Sequence, residues 1–456
     1  MLRGDSVPSF KHDRVTPAQI IILGFLLLIF TGAVLLMLPF STQEPGGASF
    51  GDALFTATSA TCVTGLVLHD TALYWSPFGQ LVILLLIQVG GMGVVTIAVA
   101  IFMFAGKRIG LKQRWVMQES ISAPQVGGIV RMTGFILKTA FLIEGVGALL
   151  LALRFCPQFG LGRGLWYAVF HSVSAFCNAG FDLLGGYSGA FSSLAGFNDD
   201  PMVLLTTAAL ITVGGLGFFV WEDVLQHRRW KKLSLYSRLV LSLTAALILF
   251  GALFFFAVEY RNPATLGPMP LWQKGLNALF QSVTLRTAGF DALGQGGLTD
   301  SSLALSVIFM LIGGSSGSPA GGLKTVTVAV LLLAFRAGVR GREEVTLRGR
   351  AISHRRVMNA MTLTLMVVFL FMVSSMLLST VDGLPFLSAA FEVASAMGTV
   401  GLTVGITPGL SLFSRGVLVF LMYVGRVGIL SFSIAFLTRS KYPAKIKYPT
   451  FDIMIG

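Results

Sequence analysis

Four short segments of one layout recur along this 456-residue chain, and their recurrence restricts the fold more than any other feature. They are Ser59-Ala60-Thr61-Cys62-Val63-Thr64-Gly65-Leu66, Ser174-Ala175-Phe176-Cys177-Asn178-Ala179-Gly180-Phe181, Thr284-Leu285-Arg286-Thr287-Ala288-Gly289-Phe290 and Ser395-Ala396-Met397-Gly398-Thr399-Val400-Gly401-Leu402. A short apolar segment precedes each one: Ala53-Leu54-Phe55, Ala168-Val169-Phe170, Ala278-Leu279-Phe280 and Ala389-Ala390-Phe391. Glycines 65, 180, 289 and 401 fall 115, 109 and 112 residues apart. A second mark follows each segment in the same order: Val89-Gly90-Gly91-Met92-Gly93, Val213-Gly214-Gly215-Leu216-Gly217, Ile312-Gly313-Gly314-Ser315-Ser316-Gly317 and Val424-Gly425-Arg426-Val427-Gly428. Two marks recurring in one order define four copies of one unit.

Each unit reads as helix, short half-helix, polar loop, helix. The sequence is 54% hydrophobic and 12% charged, whereas a soluble protein carries about 25% charged residues. The expected fold is therefore all-α and integral to a membrane. It has four tandem helix–pore-loop–helix units, eight transmembrane helices around one pore, in the manner of a potassium channel. The units are 1–115, 116–232, 233–345 and 346–456, with loops at 61–66, 176–181, 285–290 and 397–402. The first helices are expected near 17–38, 133–153, 237–258 and 357–378, and the second near 78–104, 202–221, 303–335 and 415–437. The run after Arg14 lacks a small-residue cleavage site and is long enough to span, so no signal peptide is expected. Cys62, Cys156 and Cys177 are odd in number and lack ligand spacing, so neither a disulfide framework nor a zinc site is expected.

Basic residues orient the units. Three precede the first helix (Arg3, Lys11, Arg14), and six, five, seven and four lie at Lys107–Lys138, Arg228–Arg238, Arg336–Arg356 and Arg439–Lys447. Only Arg154, Arg163, Arg261, Lys274 and Arg415 lie on the other side. The positive-inside rule then places both termini and the linkers in the cytoplasm of a plasma membrane. The net charge of +13 thus reads as topogenic, not as a nucleic-acid surface. The outer segments carry acids, among them Glu44, Asp70, Asp182, Asp199, Asp200, Asp291 and Asp382, which raise the local concentration of cations.

Irregular backbone survives at membrane depth only where protein covers it or a wet cavity meets it. Four such loops can converge on one axis, each preceded by a half-helix whose C-terminal end turns partial negative charge inward. The loops carry small or hydroxyl residues and no ring of acids. Backbone carbonyls are therefore the expected ligands, as in potassium filters. The candidate ion-binding positions are Cys62, Val63, Thr64 and Gly65; Cys177, Asn178, Ala179 and Gly180; Arg286, Thr287, Ala288 and Gly289; and Gly398, Thr399, Val400 and Gly401. The transported ion is K+, and no resident cofactor is expected.

The loops Cys62-Val63-Thr64-Gly65-Leu66, Cys177-Asn178-Ala179-Gly180-Phe181-Asp182 and Arg286-Thr287-Ala288-Gly289-Phe290, with the glycine-rich stretch of unit three, resemble the membrane subunit of the Trk/Ktr/HKT superfamily of potassium transporters. The chain length is closest to the Ktr membrane subunit. The resemblance covers nearly the whole chain. It implies a homodimer with one pore per subunit, potassium uptake, and control by a cytosolic nucleotide-binding regulatory ring.

Unit three interrupts its second helix with Gly313-Gly314-Ser315-Ser316-Gly317-Ser318-Pro319-Ala320-Gly321-Gly322. Five glycines and a proline cannot continue a stable helix. A break at that depth reads as a flexible loop obstructing the pore below the filter, and the resembled family has a gating loop there. The stretch is not a phosphate loop, because Leu323 separates Gly322 from Lys324-Thr325. Arg426 fills the slot held by Gly91, Gly215 and Gly314 elsewhere. It is expected to enter the cavity, donate to carbonyls of the 313–322 loop and oppose cations. Lys324 either caps the broken helix or reaches the cytoplasm. Arg286 is expected to turn its side chain away from the axis, toward an acid or carbonyl. Glu392 and Glu144 are expected to be structural, and Asp182 and Asp291 to form an outer cation-attracting site.

Two other classes compete. A secondary transporter also uses broken helices, but usually in inverted repeats, whereas these units all start on one side. A membrane enzyme needs a catalytic set; no paired His/Glu, Ser/His/Asp or metal-ligand group is present, and His12, His69, His171, His227 and His354 show no ligand pairing. The basic linker Arg336–Arg356 suits anionic lipid or an acidic cytosolic partner. Because the loops differ, sodium permeation or coupling stays open.

Overall fold

The computed structural model describes residues 16–44, 46–104, 110–120 and 128–428. The basic residues through Arg14, Lys107 and Arg108, the predicted helix end at 429–437 and the tail Arg439–Lys447 lie outside them.

Four helices are long and apolar enough to cross a membrane: Pro17–Leu36, Ile129–Phe159, Leu235–Glu259 and His354–Asp382. They are the predicted first helices; the first ends two residues early, and the other three are extended by up to six residues at an end. The shortest, 20 residues, is about 30 Å long, one hydrocarbon thickness. It starts at a capping box, where Thr16 and Gln19 exchange side-chain and backbone bonds of 3.3 and 2.9 Å. Their outer faces leave Leu27, Leu142, Leu253 and Phe369 exposed, an apolar belt that water would penalise and lipid does not.

The short helices are Phe50–Cys62, Leu161–Phe176, Leu271–Thr284 and Phe386–Gly398. The recurrent Ala-x-Phe mark is their buried anchor: Phe55, Phe170, Phe280 and Phe391 are each at most 1% exposed. Three of them run into the expected loops, through Cys62, Phe176 and Gly398. Cys62 and Gly398 belong to the last helical turn, because Val63 and Thr399 end those helices in the left-handed conformation, with φ of 58° and 51°.

The second helices depart most from expectation. The continuous helices predicted near 78–104 and 202–221 are each two pieces, Pro77–Met92 with Val94–Phe104 and Pro201–Leu216 with Phe218–His227, bent by 97°. Gly93 and Gly217 make the bends, at φ 87° and 86°, which a helix interior cannot hold and only glycine takes readily. In unit three the same place opens fully: Asp300–Leu311 ends, 312–324 is irregular, and Thr325–Val339 resumes. In unit four Leu412–Val427 ends at Gly428, φ 96°. The break foreseen for unit three alone is thus shared, and the last glycine of the recurrent mark sits at the helix end in units one, two and four. By length and composition the described residues hold four single spans and up to six with the bent pairs.

Among the described residues there is also one hairpin, which an all-α fold does not include. Thr346–Leu347 pairs with Arg350–Ala351 around Arg348 and Gly349, both at positive φ (48° and 78°), the turn that suits two-residue hairpins.

Candidate functional site

The four loops meet. The residue two before each loop glycine, Val63, Asn178, Thr287 and Thr399, has φ between 51° and 65°. The glycines themselves have φ of 94°, 68°, 82° and 94°. One backbone path is therefore drawn four times. A Cβ on Gly65 would strike the Ala179 carbonyl oxygen; on Gly180, that of Ala288; on Gly289, that of Val400; on Gly401, that of Thr64. Each glycine thus abuts the carbonyl just before the next unit's glycine, and unit four returns to unit one. The carbonyls of Thr64, Ala179, Ala288 and Val400 belong to one closed ring.

The short helices hold this ring from behind. Ser59 Oγ accepts from Gly65 N at 3.1 Å and Ser395 Oγ from Gly401 N at 3.0 Å. In the other two units the hydroxyl donates instead, Ser174 to the Phe181 carbonyl at 2.7 Å and Thr284 to the Phe290 carbonyl at 2.6 Å. Unit three also turns tighter. Ala288 N bonds Thr284 O four residues back, whereas Thr64, Ala179 and Val400 bond the serine carbonyl five back. The second helices close in through glycine: Gly90 lies on the Thr61 carbonyl, Gly214 on that of Phe176 and Gly425 on that of Met397.

A recess of about 230 Å³ opens on one side of the ring, lined by all four glycines and by Asp70, Asp182 and Asp291. Asp182 accepts from Leu184 N at 3.0 Å. Asp291 accepts from Leu293 N and Gly294 N, both at 3.0 Å, and from Gln295 Nε2 at 2.7 Å. Burial, despite the Leu184 amide and reinforced by the neighbouring Asp70 and Asp291 charges, pushes the Asp182 carboxyl up to about 7.

On the other side lies the 312–324 loop. Ser315 N bonds the Gly215 carbonyl at 3.0 Å, Phe218 N bonds the Gly317 carbonyl at 2.9 Å, and the Ser315 hydroxyl donates to the Leu216 carbonyl. Gly321 lies against the Thr399 side chain and the Gly398 carbonyl. The loop therefore spans from the bend of unit two to the ring end of unit four. Ser318 Oγ donates to the Ser315 carbonyl at 2.7 Å and Lys324 Nζ to that of Ala320 at 2.5 Å. Lys324 also stands at the N-cap of Thr325–Val339; its amine closes the loop on itself. Ser316 O accepts from the Tyr236 hydroxyl at 3.3 Å, and Gly313 N and Leu323 O pair at 2.9 Å. Pro319, Ala320 and Gly321 are buried, and Gly322 has φ 65°.

Two predicted side-chain partners change. Arg426 does not donate to the 313–322 loop. Its guanidinium bonds the carbonyls of Gly90 and, at 3.2 Å, Gly91, with Phe25 at 6.0 Å. These carbonyls end a helix, where partial negative charge gathers. Arg286 was expected to meet an acid or a carbonyl, but its Nη2 meets the Thr325 hydroxyl at 3.4 Å. Cys177 turns its thiol to Gly91, 3.9 Å from Gln88 and Glu144.

The buried acids Glu144 and Glu392 behave as braces. Glu144 accepts from Gln88 Nε2 at 3.1 Å on both oxygens, joining units one and two. Glu392, fully buried, accepts from the Thr403 hydroxyl, Val404 N at 3.2 Å and the Thr407 hydroxyl at 2.8 Å. Glu392→Ala strands three donors and is expected to cost about 3 kcal/mol. Glu392→Gln should cost less, and thermal unfolding of the detergent-purified protein gives the order. Sequence reasoning missed Glu259, buried among Thr265, Asn262 and Thr299 at 2.6–3.0 Å, since no motif flags it.

A family model described as TrkH, cation transport protein, matches residues 7–444. The potassium/sodium uptake protein NtpJ of Enterococcus hirae is 41% identical over 450 residues, 98% of each chain. The Ktr system potassium uptake protein B of Bacillus subtilis is 40% identical over 446 residues, again 98% of each. Its counterpart in Vibrio alginolyticus is 34% identical over 456 residues, covering 99% and 98%. The crystal structure of the potassium transporter TrkH from Vibrio parahaemolyticus matches with a TM-score of 0.73 at 21% identity, over 94% of this chain and 86% of that one. That likeness is one of fold. With the family model spanning almost the whole length and relatives at about 40% identity beside it, the chain belongs to the TrkH/Ktr family of membrane cation transport proteins.

Proposed function

We propose that this chain is the pore-forming subunit of a potassium-uptake system. Potassium sheds its water at the ring of the Thr64, Ala179, Ala288 and Val400 carbonyls and passes along its axis. The observation that carries this is the closed contact of each loop glycine with the carbonyl before the next. Backbone oxygens gathered at such a closure are the kind of ligand that replaces a potassium hydration shell. The uptake roles printed in the names of NtpJ and the Ktr proteins agree. The recess with Asp70, Asp182 and Asp291 faces outward, and the termini and basic linkers face the cytoplasm. Four units, 1–115, 116–232, 233–345 and 346–456, supply eight crossings. The 313–322 loop, with Lys324 and Arg426, is the gate. A homodimer, a cytosolic nucleotide-binding ring and anionic lipid at Arg336–Arg356 complete the system.

Rubidium-86 uptake into liposomes holding the purified chain tests the reading. Unlabelled potassium should suppress uptake strongly and sodium weakly. Sodium competing as well as potassium would favour a sodium-permeable pathway, for which the unlike loops and the one tighter turn argue. Uptake at low potassium should also rise as external pH rises through about 7. The Asp182 carboxylate is charged above that value and neutral below it, and its charge gathers cations at the entrance. Asp182→Asn should flatten the profile; an unchanged profile would remove Asp182 from the entrance.

A further inference from the structure

We infer that Arg286 is a positioning residue through which the seat of the 313–322 loop sets the filter's preference for potassium over sodium. This rests on the pore reading above.

Arg286 is 7% exposed and sits three residues before a ring glycine. The corresponding residues in the other units are Cys62, Cys177 and Gly398. Among the described residues no carboxylate lies within ion-pair distance of Arg286, and its Nε has no partner. Its side-chain bond is the one to the Thr325 hydroxyl, at 3.4 Å. A buried cation with a single neutral partner depends heavily on that partner. The distance is long for a charge-assisted bond, so a small movement of Thr325 decides whether it forms.

Thr325 is placed by the loop. It is fully buried, its hydroxyl donates to the Gly313 carbonyl at 2.9 Å, and its N–H bonds the Gly314 carbonyl at 3.0 Å. When the loop leaves, both bonds go, and Thr325 is the first residue of its helix, where backbone donors have no partner inside the helix. On the opposite side, the Arg286 carbonyl accepts from Asn178 Nδ2 at 3.3 Å, and the same amide lies 3.4 Å from the Thr287 hydroxyl. The Arg286 backbone is therefore part of the joint between loops two and three. One connected path runs from Gly313 and Gly314 through Thr325 and Arg286 to Asn178. Unit three alone has its second helix opened into a long loop, and unit three alone has an arginine at this position. With the loop seated, Arg286 is held and the ring keeps the width that suits potassium. With the loop displaced, loop three relaxes and sodium is admitted.

The test measures rubidium-86 and sodium-22 uptake into liposomes holding the full chain. Thr325→Val keeps the shape and removes the hydroxyl. It should lower the rubidium-to-sodium ratio about fivefold or more, and Thr325→Ser should retain it. Ser315→Ala frees the loop from the Leu216 carbonyl without cutting backbone, and should lower the ratio on its own. Combined with Thr325→Val it should add little, because both act through one path. An unmoved ratio in Thr325→Val overturns the inference, as do effects of the two substitutions that simply add. Flux with an unmoved ratio removes the inference alone. Absence of flux in every protein, including one lacking 315–320, removes the pore reading and this inference with it.

Discussion

Gly65→Ala is expected to abolish selective uptake. At φ 94° the backbone of Gly65 is where an L side chain is strained by about 1–3 kcal/mol even in open space. The space is not open: the new methyl would overlap the Ala179 carbonyl oxygen and stand 3.2 Å from the Gly180 Cα. The neighbour is backbone, held by Ala179 N on the Ser174 carbonyl at 2.7 Å, so it cannot swing aside as a flexible side chain would. The ring must open at this joint. A barrier raised by even 1.4 kcal/mol slows passage about tenfold, and displaced carbonyls lose the fit to potassium together with the rate. Rubidium-86 uptake competed by potassium and sodium reads both. The same substitution at Gly180, Gly289 or Gly401 should act alike, since each faces the carbonyl of its successor. Wild-type competition curves for Gly65→Ala would refute the carbonyl ring as the filter.

Arg426→Gln should act in the opposite direction. Arg426 reaches from the unit four break to the Gly90 and Gly91 carbonyls of unit one, close below the ring, where Gly425 touches the Met397 carbonyl and the Thr399 methyl. A fixed positive charge in a low-dielectric path repels a passing cation by more than 1 kcal/mol. Removing it should raise flux about tenfold at a given gradient. Glutamine keeps a donor for the two carbonyls, so the helix end is not stranded. Arg426→Lys should stay near wild type. Equal flux in all three proteins would mean that the charge is neutralised locally and sets no barrier.

The recurrent marks were legible because they are physical requirements. Ala-x-Phe is a buried anchor, and the loop glycine is a place without room for Cβ. The ring itself was legible only as convergence. Which glycine meets which carbonyl depends on the cyclic order of units, and no local pattern carries that. The bends at Gly93 and Gly217 were missed although their glycines were in view, because an apolar run scores as a continuous helix and hides a single dihedral. Arg426 was wrongly partnered. Its slot in the repeat placed it at a break, but the carbonyls nearest it come from unit one, more than 330 residues away in sequence. Arg286 was assigned an acid or a carbonyl, since a buried arginine ordinarily needs one, and the hydroxyl of Thr325 came from a helix start that the sequence did not place beside it.

The hydroxyls behind the ring have one further consequence. In units one and four they accept, drawing on a glycine N–H; in units two and three they donate, drawing on the carbonyl of the following phenylalanine. Phe181 O and Phe290 O thus have electron density already shared with a hydroxyl, and they lie in adjacent units. On the proposed pore reading, an arriving ion would meet a lopsided field, weaker on the side of units two and three, and would rest off the geometric centre, toward units one and four. Chemically equal oxygens would then shift unequally when the ion binds, so isotope-edited infrared spectra of labelled carbonyls should split in pairs instead of moving as a single band.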